Sequence, residues 1–293
     1  MRSKGVTFNH VTMDQAKTYL ERKNSDFRIK AYCKNYEVKP STGEYINLDF
    51  NYLTEMAEID HQLRRFITKF IVHLEHILKQ NLLRDLTNEP TEDGFTIISD
   101  FLVENPGVLS SIEEKRRQSV VGELIDKYRD RYSMWSILEV LSFGEFIKLY
   151  GFYYERHPAK GKHENILHHI KFLRNAVVHN ICLLNSLKRP YQLSSFRRCE
   201  EVVSYLSRSP ISSKARNKNL ENPVIHDLIT ALYVFQSVCA DRDTKKKYCV
   251  ELNRLFKADF VKNGAYFNGN SIIQSRYEFF IKFIDYYSTT SYN

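Results

Sequence analysis

Apolar residues recur at helical spacing along most of this 293-residue chain. Leu53, Met56, Ala57, Leu63, Phe66, Ile67, Phe70, Leu74, Ile77, Leu78 and Leu82 keep a 3.6-residue period, which predicts one long helix over about 50–86. Thr12 and Gln15 have capping-box spacing, with Ala16, Tyr19 and Leu20 following, so a first helix is expected from Thr12. Residues 25–50, interrupted by Pro40 and Gly43, read as loop and short elements. Residues 87–111 hold Pro90, Gly94, Pro106 and Gly107 and read as a mixed connector. Helices are expected at about 113–130, 134–155 and 163–184, the last with Ile166, Ile170, Leu173 and Val177 on one face. A basic turn, HPAKGKH at 157–163, precedes that last helix. A helix at 195–208, a polar loop at 209–223 and two or three further helices complete the chain, with a break at Phe267-Asn268-Gly269-Asn270. The expected fold is all-α, antiparallel helices around one main core.

Composition agrees with that class. Only 10 Gly and 7 Pro are present, too few for a turn-rich sandwich or barrel. No internal repeat and no apolar run long enough to span a membrane is visible. The opening MRSKGVTFNHVTMDQAK has no apolar signal-peptide core. The five Cys are scattered without a C-x-x-C, which points to a reducing, cytoplasmic setting and away from a disulfide framework or a thiolate zinc site.

The net charge of +8 is unevenly spread. Residues 156–220 hold thirteen Lys and Arg against three Glu, a net +10, whereas 41–110 is acidic. A stretch this basic expects a polyanion, nucleic acid before membrane; a solvated basic surface is the plainer alternative.

The most informative segment is FLRNAVVHN, 172–180. Arg174, Asn175 and His179 interrupt an otherwise apolar pattern. On a helix, Arg174 and His179 lie about 140° apart and about 7.5 Å apart along the axis, so long side chains can converge on one groove. The bare pattern is weak, since about two matches are expected by chance. The other match, Arg156 with His163, lies in the basic turn and lacks the following Asn. A capping Arg and a satisfied core His would explain the first pair equally well on spacing alone. His163-Glu164-Asn165-Ile166-Leu167-His168 is one residue too long for the zinc-protease motif. Phosphate-loop, dinucleotide and hydrolase-elbow motifs are missing, and the carboxylates Asp49, Asp60, Glu75 and Asp85 are unpaired in spacing. No metal and no cofactor is therefore expected. Trp135 is expected in the core, and Glu139, one turn later, would need a partner such as Arg174 if buried.

Four blocks in order resemble the Abi-like abortive-infection proteins of bacteria, of the AbiD/AbiF type. They are YLERKNSDFRIKAYCKNYEV (19–38), IDHQLRRFITKFIVHLEHILKQNLL (59–83), MWSILEVLSFGEFIKLY (134–150) and LRNAVVHNICLLN (173–185). Leu184 stands where the family commonly has Trp, and Asn180 after the His is a second departure; residues 210–293 lie outside the resemblance. The family is similar to the HEPN superfamily, whose R-x(4–6)-H motif aligns with Arg174 to His179. The resemblance implies a HEPN-like helical core over 51–208, with helical extensions at 1–50 and 209–293. It also implies metal-independent RNA cleavage in antiphage defence, control by a small structured RNA, and a homodimer.

In that reading His179 exchanges protons with the 2′-OH or the 5′-oxygen, Arg174 bridges phosphoryl oxygens, Asn175 orients, and Glu139 and Asn180 support. One His cannot be acid and base at once, so two chains would pair their motif helices. Lys160, Lys162, Lys171, Lys188, Arg189, Arg197 and Arg198 are the expected RNA-backbone contacts, and Tyr191 and Phe196 are candidates to stack on bases, with core packing the alternative for Phe196. A non-catalytic RNA-holding protein and a helical bundle without nucleic acid are the two competing readings.

Overall fold

The computed structural model describes residues 1–158, 164–188 and 196–291. Fourteen α-helices appear among them: α1 Met13–Arg22, α2 Asp26–Ala31, α3 Phe50–Thr87, α4 Thr96–Glu104, α5 Pro106–Gln118, α6 Gly122–Tyr128, α7 Met134–Leu138, α8 Phe143–Arg156, α9 Glu164–Val178, α10 Glu200–Ser207, α11 Ser213–Leu220, α12 Pro223–Val238, α13 Arg242–Arg254 and α14 Ser271–Thr290. The fold is all-α. Its only extended pairings among the described residues are two isolated bridges, Thr7 with Asp49 and Val38 with Tyr45.

The chain forms two compact units, one of Met1–Phe70 with Phe172–Asn293 and one of Ile71–Lys171. The first unit is centred on aromatic contacts. Phe70, Phe235 and Tyr248 stand edge-to-face in pairs with centroids 5.0–5.3 Å apart, geometry that favours the ring quadrupoles. Phe50, Leu53, Phe283 and Tyr287 are buried in the same unit. The second unit buries Ile97, Ile98, Phe101, Ile137, Phe146 and Tyr153.

Capping chemistry sets most boundaries. The Thr12–Gln15 box is formed, with Gln15 N–H donating to Thr12 Oγ1 at 3.2 Å and Thr12 N–H to Gln15 Oε1 at 2.9 Å. The helix expected at 134–155 is instead two, because Ser142 and Glu145 make a second capping box that starts α8 afresh. The helix expected at 113–130 begins earlier, at Pro106, and is broken at Ser119. It restarts at Gly122, where an added Cβ would lie 2.6 Å from the Arg116 carbonyl oxygen. The supposed connector at 87–111 carries α4, and the polar loop at 209–223 carries α11, whose N-cap Ser212 accepts from Ala215 N–H at 3.3 Å. Both are short, α4 entering with the Phe95 and Thr96 N–H groups on Asp93 Oδ1 at 2.7 Å, and so they carry little periodic signal.

Trp135 does not sit in the core. It is 46% exposed, and its indole lies over Gly94, whose φ of +72° and contact with the ring leave no room for a Cβ.

Candidate functional site at the end of helix α9

Helix α9 buries Ile166, Leu167, Ile170, Leu173 and Val177. It ends at Val178 and not near 184. His179 still donates its N–H to the Asn175 carbonyl at 2.9 Å, so it keeps the helical register and caps the helix. Asn180 then takes a left-handed φ of +56°. Asn180 N–H bonds the Val177 carbonyl (3.1 Å) and Ile181 N–H the Ala176 carbonyl (2.9 Å), the pair of bonds of a Schellman turn. Asn is among the few residues besides Gly that tolerate this conformation. The apolar run Ile181–Leu184 carried the expected helix too far; the turn residue ends it.

The polar side chains of the motif face outward. Arg174 is half-buried and donates to Asn175 Oδ1 at 3.4 Å. It makes no ion pair among the described residues. His179 is exposed and its ring has no hydrogen bond among them. Phe172, 61% exposed, is seven residues before His179 and so shares its helix face. Val178 and Ile181 are also more than half exposed. Glu139 is exposed at the end of α7, so it has no buried charge that requires Arg174 as partner.

Behind the turn lies a polar cluster. Asp60, fully buried on α3, accepts Leu184 N–H at 2.8 Å and pairs with Arg64, four residues on. Arg28 of α2 reaches the same carboxylate at 3.9 Å. The Arg28 guanidinium also donates to both oxygens of Asn180, at 2.6 Å to the carbonyl and 3.3 Å to Oδ1. Arg64 donates to the Ile181 carbonyl at 3.4 Å. Burial pushes the Asp60 carboxyl up from its ordinary value, while Arg64, the Leu184 N–H, Tyr32 and Arg28 pull it back. Burial first, and then the charge of Asp60, hold the Tyr32 phenol well above the usual tyrosine range. Further along, Asn35 Nδ2 donates to the Leu184 carbonyl and Leu187 N–H donates to Asn35 Oδ1, both at 2.7 Å. Arg276 donates to the Leu187 carbonyl at 2.9 Å.

Spacing arguments missed this cluster. A usable signal was present: Asp60 and Arg64, at i and i+4, interrupt the buried stripe of Met56, Leu63 and Ile67, and an acid inside such a stripe needs a cation.

The expected RNA contacts are placed unevenly. Lys160, Lys162, Arg189 and Tyr191 lie outside the described residues. Lys171 is half-buried and packs its stem on Gly144. Lys188 pairs with Glu37 at 3.0 Å. Arg197 and Arg198 are exposed, and Arg198 donates to Asn217 Oδ1 at 3.0 Å. Phe196 sets its ring edge against His226, centroids 5.2 Å apart. No helix among the described residues is long and apolar enough to cross a membrane.

A family model described as Abi-like protein matches residues 18–185, more than half of the chain. The chain belongs to the Abi-like protein family. The match takes in Arg28, Asp60 and Arg64 as well as the whole of Arg174–Asn180, so motif and supporting cluster belong to one family region. The Abi-like family suggests an abortive-infection function. No curated protein and no solved structure matches the chain.

Proposed function

We propose that this Abi-like protein is a metal-independent RNA endonuclease of the HEPN type, with Arg174 and His179 as its catalytic pair. One observation carries this most: a guanidinium and an imidazole leave the end of one helix without an ion pair among the described residues, and the imidazole meets solvent. Paired groups would be used up structurally; these are open to a phosphodiester.

The chemistry follows from RNA itself. The 2′-OH neighbouring the scissile phosphate is the nucleophile. The His179 imidazole takes its proton. The 2′-oxygen attacks phosphorus and the bond to the 5′-oxygen breaks, while Arg174 stabilises the charge growing on the phosphoryl oxygens. A proton delivered to the 5′-oxygen completes the reaction, leaving a 2′,3′-cyclic phosphate and a 5′-hydroxyl. A second copy's histidine is the natural donor. The exposed apolar residues Phe172, Val178 and Ile181 around the motif support such a homodimer, because apolar side chains grouped beside a polar site commonly mark an interface. DNA, lacking the 2′-OH, is not cut.

Asn175 is assigned to phosphate or imidazole orientation, and the basic residues Lys171, Arg197 and Arg198 to the RNA backbone, giving steep salt dependence. A small structured RNA is the proposed controlling partner, in a cytoplasmic defence system.

The test is cleavage of total RNA and of a matched DNA by purified protein in chelator. His179→Ala and Arg174→Ala should each abolish cleavage, and end-group analysis should find cyclic phosphate. Cleavage of DNA, or activity retained in His179→Ala, overturns the mechanism. The second reading, an RNA-holding protein without catalysis, is favoured by the lack of any group orienting the His179 ring among the described residues. It predicts that His179→Ala alters affinity alone.

A further inference from the structure

We propose that Arg28 and Asp60 are positioning residues for this cleavage, acting on His179 through the Asn180 turn. The proposal rests on the reading of Arg174 and His179 as the cleaving pair.

The helix end does not need them. A Schellman turn satisfies its own carbonyls, and here both of its bonds are present. Yet two arginines and an aspartate converge on the residues just past it. Arg28 spans the two oxygens of Asn180, and Arg64 takes the next carbonyl, that of Ile181. Asp60 ties both guanidinium groups to the Leu184 N–H. Charges are costly to remove from water, and Asp60 is fully buried. Such a cluster, contributed by α2 and α3 to a turn 152 residues away from Arg28, fixes where the turn sits in space. What the turn fixes in its own sequence is His179, its immediate neighbour.

Asp60 has no hydrogen bond to His179 and its oxygens serve Leu184, Arg64 and Arg28. It is therefore not the orienting carboxylate of a catalytic dyad. Its effect is mechanical: it holds the charges that hold the turn. A displacement of about 1 Å at a catalytic group costs up to about a hundredfold in rate without weakening substrate binding.

The experiment is single-turnover cleavage of one defined RNA by the full chain, reading the rate at saturating protein and the protein concentration at half-maximal rate. Arg28→Ala and Asp60→Asn should lower the saturating rate by about 10- to 100-fold and leave the half-maximal concentration within about twofold. Arg28→Lys, which keeps the charge but cannot span both Asn180 oxygens, should recover only part of the rate. Asn180→Gly keeps the left-handed φ and the carbonyl contact but loses Oδ1, so its rate should fall between wild type and Arg28→Ala. Lys30→Ala, on the exposed side of α2 and paired with Asp26, should match wild type. If Arg28→Ala fails to fold, Arg28→Lys and Asn180→Gly decide the question, since both preserve the buried charge. Full saturating rates in those two overturn the proposal. So does a loss that follows the folded fraction measured by circular dichroism. An inactive His179→Ala beside a fully active Arg28→Ala overturns the positioning role alone. A fully active His179→Ala removes the cleavage reading and the positioning role with it.

Discussion

The side chain of Asn35 is bonded at both its oxygen and its nitrogen to the segment that follows the motif, and its bond from Leu187 N–H spans 152 residues of chain. Asn35 is fully buried, and its bond from the Leu187 N–H is closed to water. Asn35→Ala leaves the buried Leu187 N–H and the half-buried Leu184 carbonyl without this partner. It should lower stability by about 3 kcal/mol, read as a fall in the urea midpoint at unchanged slope. An unchanged midpoint would show that the segment is held elsewhere.

The motif residues should behave in the opposite way. His179 is exposed, and among the described residues Arg174 has one long hydrogen bond, to its neighbour. His179→Ala and Arg174→Ala should each change stability by no more than about 0.5 kcal/mol. Thermal melts of the two variants that overlay the wild type, beside a large loss for Asn35→Ala, would separate residues that the fold does not need from those that hold it.

Alkaline pH should unfold the first unit. Burial pushes the phenols of Tyr205 and Tyr248 up to about 12, with Glu251 adding to the effect at Tyr248, and holds Tyr287 well above its ordinary range. Each folded value exceeds the unfolded one near 10. The stability they contribute is thus complete below pH 10 and is lost as pH rises toward 12. Tyrosinate absorbance should therefore appear together with loss of helical circular dichroism in that window. A titration of these tyrosines without unfolding would contradict their burial.

Trp135 makes the second unit readable by fluorescence, since it is the only tryptophan. Its half-exposed indole should be quenched by acrylamide more readily than a core residue. Gly94→Ala adds a Cβ 2.6 Å from the ring at a φ of +72°, and should destabilise the unit by about 2 kcal/mol while shifting the emission. Unaltered emission would mean that ring and glycine do not touch.

The long helices were legible because Leu53 to Leu82 repeat their period over many turns, and because Thr12 and Gln15 announce a cap in four residues. The proposed pair was legible because Arg174 and His179 break an apolar pattern. Two other features were hidden for different reasons. The end of α9 depends on one backbone angle at Asn180, which the apolar residues beyond it masked. The Arg28–Asp60–Arg64 cluster depends on pairing between distant segments, which no local window contains. Trp135 misled because indole size is a good general guide to burial, whereas here a glycine offers it a surface platform.

The contact between Arg28 and Asn180 also bears on the order of synthesis. It closes a loop of 152 residues, and the Asp60 to Leu184 bond closes one of 124. The first cannot form until the ribosome has released residue 180, nor the second until residue 184. An emerging chain therefore carries Arg28, Asp60 and Arg64 with no turn to hold while more than a hundred further residues are added. On the proposed positioning role, His179 is held in place only when residues more than a hundred positions apart in the chain have met.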